Sequence, residues 1–196
     1  MKKIELEIVA LSHSITQTHS YAVVLGEVSG VRRIPIVIGG FEAQAIAVAL
    51  ERMNPTRPLT HDLMKNFMLA FNVELNEVII YDLQEGVFFA RLICSSENDT
   101  VEIDSRTSDA LALAVRFGCP IYTYEHILAQ PEVFTPGSES GKISAGPVTT
   151  ETGGKEDLKS MSIDDLNTLL NEVLENEDYI KAISIRDEIK SRNKTS

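Results

Sequence analysis

The chain alternates like a sheet protein, turns helical, and then does both again before a long polar stretch. Ile4, Leu6 and Ile8 alternate with Lys3, Glu5 and Glu7, the period of a strand with one wetted face. Residues 21–28 and 31–38 are two more strand-like runs, joined at Ser29-Gly30 as a hairpin would be. Gly39-Gly40 ends the second run, and the alanine-rich residues 42–50 predict a helix that can lie close on a sheet. Pro55 and Pro58 stop that helix. Thr60 then stands where an N-cap is expected, before a second helix whose Leu63, Met64, Phe67, Met68 and Phe71 fall on one side.

The order recurs. Val78, Ile79 and Ile80 begin a strand, residues 82–86 turn, residues 87–93 return, and Val101 opens a third strand after a turn over 95–99. The stretch VEIDSRTSDALALAVR changes period in its middle: Val101 and Ile103 alternate, while Ala110 onward reads as a mostly buried helix. Between them stand Asp104, Ser105, Arg106, Thr107, Ser108 and Asp109, more charge and hydroxyl than one helix cap needs. A hydroxyl cap and an acid in the first turn account for about two of them. Asp104 and Arg106 have no local explanation. A shift of 65 positions lays Ile38 on Ile103 and residues 45–50 on 110–115, so both halves read as strand, strand, strand, helix. Alanine-rich helices resemble one another cheaply, so the shared order of elements is the main support for a duplication. If it holds, the junctions near residues 39–42 and 104–109 are equivalent places. Residues 120–124 are short and extended, and residues 125–129 suggest a further helical turn.

Residues 131–160 lose almost all apolar character and predict a flexible linker. Beyond it, Ser162-Ile-Asp-Asp165 resembles a capping box, and Leu166, Leu169, Leu170, Val173 and Leu174 make an apolar stripe. Tyr179, Ile180, Ile183 and Ile189 give a second amphipathic helix. Two such helices bury too little to stand alone, so the hairpin must dock on the main domain, a second copy or a partner. The expected organisation is a domain over 1–130, a linker over 131–160 and a helical hairpin over 161–193, with an α+β fold built on a mixed or antiparallel sheet.

Charge narrows the function. The net charge is −11, split as −6 over residues 1–130 and −5 over 131–196, so no broad basic face is available to track nucleic acid. Phosphate chemistry must then rest on a few placed arginines or a divalent metal. No run is apolar enough to span a bilayer and the N-terminus is not signal-like, which predicts a soluble cytoplasmic protein. Cys94 and Cys119 have neither zinc nor disulfide spacing and read as buried free thiols. His13, His19 and His126 have no ligand-like spacing either.

The segments IPIVIGGFEAQAIAVAL, RPLTHDLM, EIDSRTSDALALAVR and CPIY together resemble the bifunctional nuclease domain, over nearly all of residues 1–130. The family usually has proline where this chain has Thr107. Residues 167–190 resemble the UVR motif, a helical hairpin that pairs with another hairpin and serves both excision repair and protein-degradation partners. The resemblance implies a low-specificity nuclease acting on DNA or RNA, and carries over Glu42, Arg57, His61, Asp62, Asp104, Arg106, Ser108, Asp109 and Arg116 as its recurring polar positions. In that reading His61, Asp62, Asp104 and Asp109 are catalytic, and Arg57, Arg106 and Ser108 bind the substrate. Glu42, Asp62, Asp104 and Asp109 hold Mg²⁺ or Mn²⁺. The bland alternatives are helix-dipole roles for Asp62 and Asp109, a dipole or surface role for Arg116, a structural His61, and bridges from Arg57 and Arg106 to Glu42 and Asp104. A protein partner for residues 161–193 and a homodimer complete the expectation. Its rival is a non-catalytic adaptor or regulator acting through the hairpin.

Overall fold

The computed structural model describes residues 2–13, 20–97, 99–131, 133–135, 158, 161–175 and 179–193. Three antiparallel strands come first, β1 (Lys3–His13), β2 (Ser20–Glu27) and β3 (Arg33–Gly39), and α1 (Gly40–Leu50) follows. After α2 (Thr60–Ala70) the order returns as β4 (Glu74–Gln84), β5 (Val87–Ser96), β6 (Asp99–Arg106) and α3 (Thr107–Phe117). β7 (Ile121–Tyr124) and the single turn α4 (Glu125–Leu128) come next. All seven strands form one mixed sheet in the order β3-β2-β1-β7-β4-β5-β6, the expected α+β class.

β7 is the seam. It runs antiparallel to β1 and parallel to β4, and it buries Ile121 and Thr123, whose hydroxyl donates to the Ile80 carbonyl at 3.0 Å. On either side a three-stranded meander runs outward and a helix folds back, so that α1 and α3 pack on each other. The halves thus occupy matching places, but not at a uniform shift of 65. Gly40 opens α1 and Thr107 opens α3, a spacing of 67, and the strand partners of Gly39 and Arg106, Ser20 and Phe89, stand 69 apart. Alanines match at several registers along a helix. Helix starts and strand pairing do not slide.

Two further expectations change at the junctions. No loop separates β6 from α3, because Asp104 and Ser105 still pair with Arg91 and Ala90 when the helix begins. Thr107 does not cap α3; its hydroxyl donates to the Phe88 carbonyl at 2.7 Å and ties the helix to β5. Likewise Leu59, not Thr60, precedes α2, and the Asp62 carboxylate reaches back to accept from the Leu59 N–H at 2.9 Å. The turn from β4 to β5 needs positive φ at both central residues, and Glu85 and Gly86 supply +50° and +80°.

α1 is buried on most sides by Ala43, Ala45, Ile46, Ala47 and Val48, as its composition allows. α2 is the opposite. Of its described apolar residues only Met68 is buried, while Leu63, Met64, Phe67 and Phe71 lie open to solvent with the two phenyl rings 4.7 Å apart. Val133 packs on the core and Phe134 bridges to Arg33, which carries the first domain a few residues past 130. Residues 136–157, most of the expected linker, lie outside the described residues, as do His19 and the side chains of Tyr179, Ile180 and Ile183. α5 (Ile163–Glu175) and α6 (Tyr179–Asn193) pack around Leu166, Val173, Ala182 and Ile185. Ser162 and Asp165 form the expected capping box, with the Ser162 hydroxyl accepting from the Asp165 N–H at 3.1 Å. The hairpin docks on the end of α1, where Met53 joins its core and Lys190 and Arg186 stand 3.4 and 3.5 Å from the Glu51 carboxylate.

Glu27 at the end of β2 is buried and takes three hydrogen bonds from Arg32, one of them at 2.6 Å, while Arg32 also grips Glu125 of α4 at 2.7 Å. The Arg32 hydrogen bonds hold the Glu27 carboxyl below its ordinary pKa despite burial. A depressed carboxylate pKa adds stability above the unfolded-state value that is lost as pH falls through the folded one. Glu27→Gln is therefore expected to lose about 2 kcal/mol at neutral pH and to flatten the acid limb below about pH 4.5, as read by urea unfolding across pH.

Candidate functional site

The end of β6 and the first turns of three helices meet at one point. Arg106 is the last strand residue before α3, and its guanidinium folds over that helix start. Its Nε donates to Asp109 Oδ2 at 2.7 Å, its Nη2 to Asp109 Oδ1 at 3.1 Å, and its Nη1 to Glu42 Oε1 at 3.1 Å. Asp109 Oδ1 lies 3.0 Å from His61 Nε2, in the first turn of α2. Glu42, Arg106, Asp109 and His61 thus form one chain of contacts drawn from both halves of the fold.

The spacing of 67 explains why. It makes Glu42 and Asp109 equivalent, each the third residue of its helix, and it makes Gly39 the equivalent of Arg106. Gly39 carries no side chain, and a Cβ there would have to displace the end of the Glu42 side chain from its present place. One arginine serves two matching acids. Among the described residues neither N-cap residue, Gly39 or Arg106, makes a side-chain cap hydrogen bond, and both helices turn the positive ends of their dipoles toward this point.

Burial raises the pKa of the Asp109 carboxyl, but the hydrogen bonds from Arg106 and His61 outweigh it and leave the group below its ordinary value. Asp109 in turn raises the pKa of Arg106. Arg106 is 67% exposed and uses three of its five N–H donors among the described residues.

The other expected site residues are placed differently. Asp62 is a structural acid: besides the Leu59 N–H it accepts from Arg116 Nε at 2.6 Å. Arg116 is no surface residue. Its side chain is 5% exposed, and its Nη1 donates to the carbonyls of Ala45 at 2.8 Å and Ala112 at 3.0 Å, again positions 67 apart. It ties α1, α2 and α3 together. The sequence marks Arg116 as a recurring polar position but not as this strut, whose signal is a lone arginine after the apolar run of residues 110–115. Asp104 stands exposed on β6 and accepts from the Tyr81 hydroxyl at 3.3 Å. Ser108 is buried in the first turn of α3, and Arg57 is exposed between α1 and α2. Neither of the expected bridges from Arg57 is among the ion pairs of the described residues.

The four expected carboxylates do not gather. Glu42 and Asp109 converge, but the Arg106 guanidinium fills the space between them, and among the described residues no three His, Cys, Asp or Glu side chains form a metal-binding group. The donor set in this arrangement does not fit a preformed Mg²⁺ or Mn²⁺ site. Burial raises the pKa of both thiols, that of Cys119 to about 11, so they stay protonated and inert.

Beside Arg106 opens a cavity of about 770 Å³. Edge strands β3 and β6, at opposite ends of the strand order, both line it, because the sheet curves until its ends face each other. Glu42, Asp104, Ser105, Arg106 and Ser108 supply its polar side.

A family model described as the bifunctional nuclease domain matches residues 23–136. The chain belongs to the bifunctional nuclease domain family. An uncharacterized protein of Mycobacterium tuberculosis, represented in two strains, is 41% identical over 142 residues, which cover 72% of this chain and 85% of its own. In this bifunctional nuclease domain the matched span runs from β2 to just past Phe134. It therefore contains the whole Glu42–Arg106–Asp109–His61 chain and leaves out the C-terminal hairpin. The family points to a nuclease-related function. Among the described residues no helix is long and apolar enough to cross a membrane.

Proposed function

We propose that the domain hydrolyses phosphodiester bonds in DNA or RNA, with Arg106 as the phosphate grip and His61 as the proton carrier. The observation that carries this reading is the guanidinium held between two acids, with donors to spare, at the meeting of two uncapped helix starts. Two N–H groups of Arg106 remain for the non-bridging oxygens of a phosphate, the bidentate geometry that arginine suits. The α1 and α3 dipoles favour the same negative charge. As water attacks phosphorus, charge grows on those oxygens, and fixed donors aimed at it lower the barrier. With Nε2 donating to Asp109, the His61 Nδ1, which has no partner among the described residues, can take the proton of the attacking water. The ester P–O bond on the far side breaks, and the departing sugar oxygen takes a proton from solvent, to which the imidazolium returns its own. Asp109 orients the imidazole and stabilises the imidazolium, while Glu42 keeps Arg106 in place. Asp62 acts through Arg116 and the start of α2, positioning His61. No step is assigned to Mg²⁺ or Mn²⁺. The test is cleavage of labelled DNA and RNA by purified protein beside His61→Gln, which should be at least about 100-fold slower with unchanged unfolding midpoint.

The exposed face of α2 supports the homodimer. Leu63, Met64, Phe67 and Phe71 make an exposed apolar patch with no charged member, the kind of surface that marks interaction sites. Packed antiparallel on a second copy, each Phe67 would meet its mate. Phe67→Glu is expected to turn dimer into monomer in sedimentation at micromolar concentration without loss of secondary structure. The net charge of −11 favours a second reading, an adaptor that recruits a protein partner through α5 and α6. That reading gains if activity is absent while deletion of 161–193 abolishes a pull-down.

A further inference from the structure

A phosphate grip needs no apolar cavity, yet one adjoins Arg106. Its walls include Val24, Pro35, Val37, Val87, Phe88 and Phe89, and its volume of about 770 Å³ lies within the range of small-molecule pockets. Among the lining residues Arg106 is the only cation, set against Glu42 and Asp104. A ligand that enters gains little from charge and much from burial. Among the described residues β3 and β6 each have one sheet neighbour, and apart from the Arg33 bridge to Phe134 no further strand pairs with their outer edges.

We propose that this cavity receives one unpaired nucleobase of the strand whose phosphate rests on Arg106, so that the substrate is single-stranded. The inference rests on the nuclease reading for the identity of the ligand. Phe89 and the valines give a base face the apolar and aromatic surface it stacks on, and such stacking tolerates any base. Peptide groups on the strand edges can meet base edges with the same tolerance. A duplex base is already stacked and paired, and reaching the cavity would require its extrusion, which a single strand avoids. A duplex would also offer a dense row of phosphates to a face with one arginine, and the overall charge of −11 repels them. Single-strand recognition by base burial is the mode this surface can support.

The test is equilibrium binding of a single-stranded DNA oligonucleotide carrying 2-aminopurine, and of its hairpin duplex, to the full chain bearing His61→Gln to suppress turnover. The single strand should bind at least 10-fold tighter, with 2-aminopurine emission changing on binding. Its log K should fall with log salt at a slope of about −0.7, the value for one neutralised phosphate on a single strand. Val37→Asp, at an exposed wall position, should weaken single-strand binding at least 10-fold and leave the unfolding midpoint unchanged. Equal or tighter duplex binding, a slope worth several phosphates, or indifference to Val37→Asp would overturn the proposal. So would a hydrophobic dye that fills the cavity and is not displaced by the oligonucleotide. Binding as stated with no cleavage by the unsubstituted protein would sink the nuclease reading alone, and cleavage of both forms untouched by Val37→Asp would sink this inference alone.

Discussion

Arg106→Ala is expected to slow phosphodiester cleavage by about 10²–10³-fold, the loss seen when one preorganised donor to a developing oxyanion is removed. The arginine is 67% exposed and its partners keep other support, Asp109 from His61 in particular, so the folded state should lose less than about 1 kcal/mol. Activity and stability thus separate at this position. Arg106→Lys retains the charge but not the fork that reaches Asp109 with two nitrogens and Glu42 with a third, and it should recover only a small part of the rate. Single-turnover cleavage beside urea unfolding checks both halves of the expectation.

Arg116→Ala should do the reverse, costing about 3–5 kcal/mol in urea unfolding. Its side chain is 5% exposed, and its removal leaves the Asp62 carboxylate with only the Leu59 N–H among the described residues and takes a donor from the carbonyls of Ala45 and Ala112. Those contacts join α1, α2 and α3, the three helices whose first turns carry Glu42, His61 and Asp109. Asp62→Asn should be milder, since Arg116 keeps its two carbonyls. A variant that still folds should lose activity through misplacement of His61, with substrate affinity less affected than turnover.

The alternation of β1 to β6 and the alanine-rich helices were legible because each has one buried face and a period to match. β7 was legible as extended, but its place at the centre was not, since Ile121 and Thr123 are buried by strands far away in sequence. The polar junction over 104–109 was legible as an excess of polar groups, and in the structure these make three sets of contacts. Arg106 and Asp109 enter the site, Thr107 pins α3 to β5, and Asp104 answers Tyr81 on β4. That Glu42 would join them depends on the equivalence of the two halves, which similarity of sequence placed two residues off. The Asp62–Arg116 pairing was not legible because an acid in a first helical turn looks the same whether it faces solvent, a metal or a buried arginine. The cavity between β3 and β6 had no sequence signature at all, since it arises from the curvature of the whole sheet.

The proposed chemistry requires Arg106 and His61 to act on one phosphate through their shared partner Asp109. The measurement that tests this most directly is a double-mutant cycle on the single-turnover rate, comparing the unsubstituted protein, Arg106→Ala, His61→Gln and the pair. Residues that act as a unit lose far less together than the product of their separate losses, so the double variant should be little slower than the slower single one. Losses that multiply, or rates untouched by either substitution, would contradict a single catalytic centre at the meeting of the two halves.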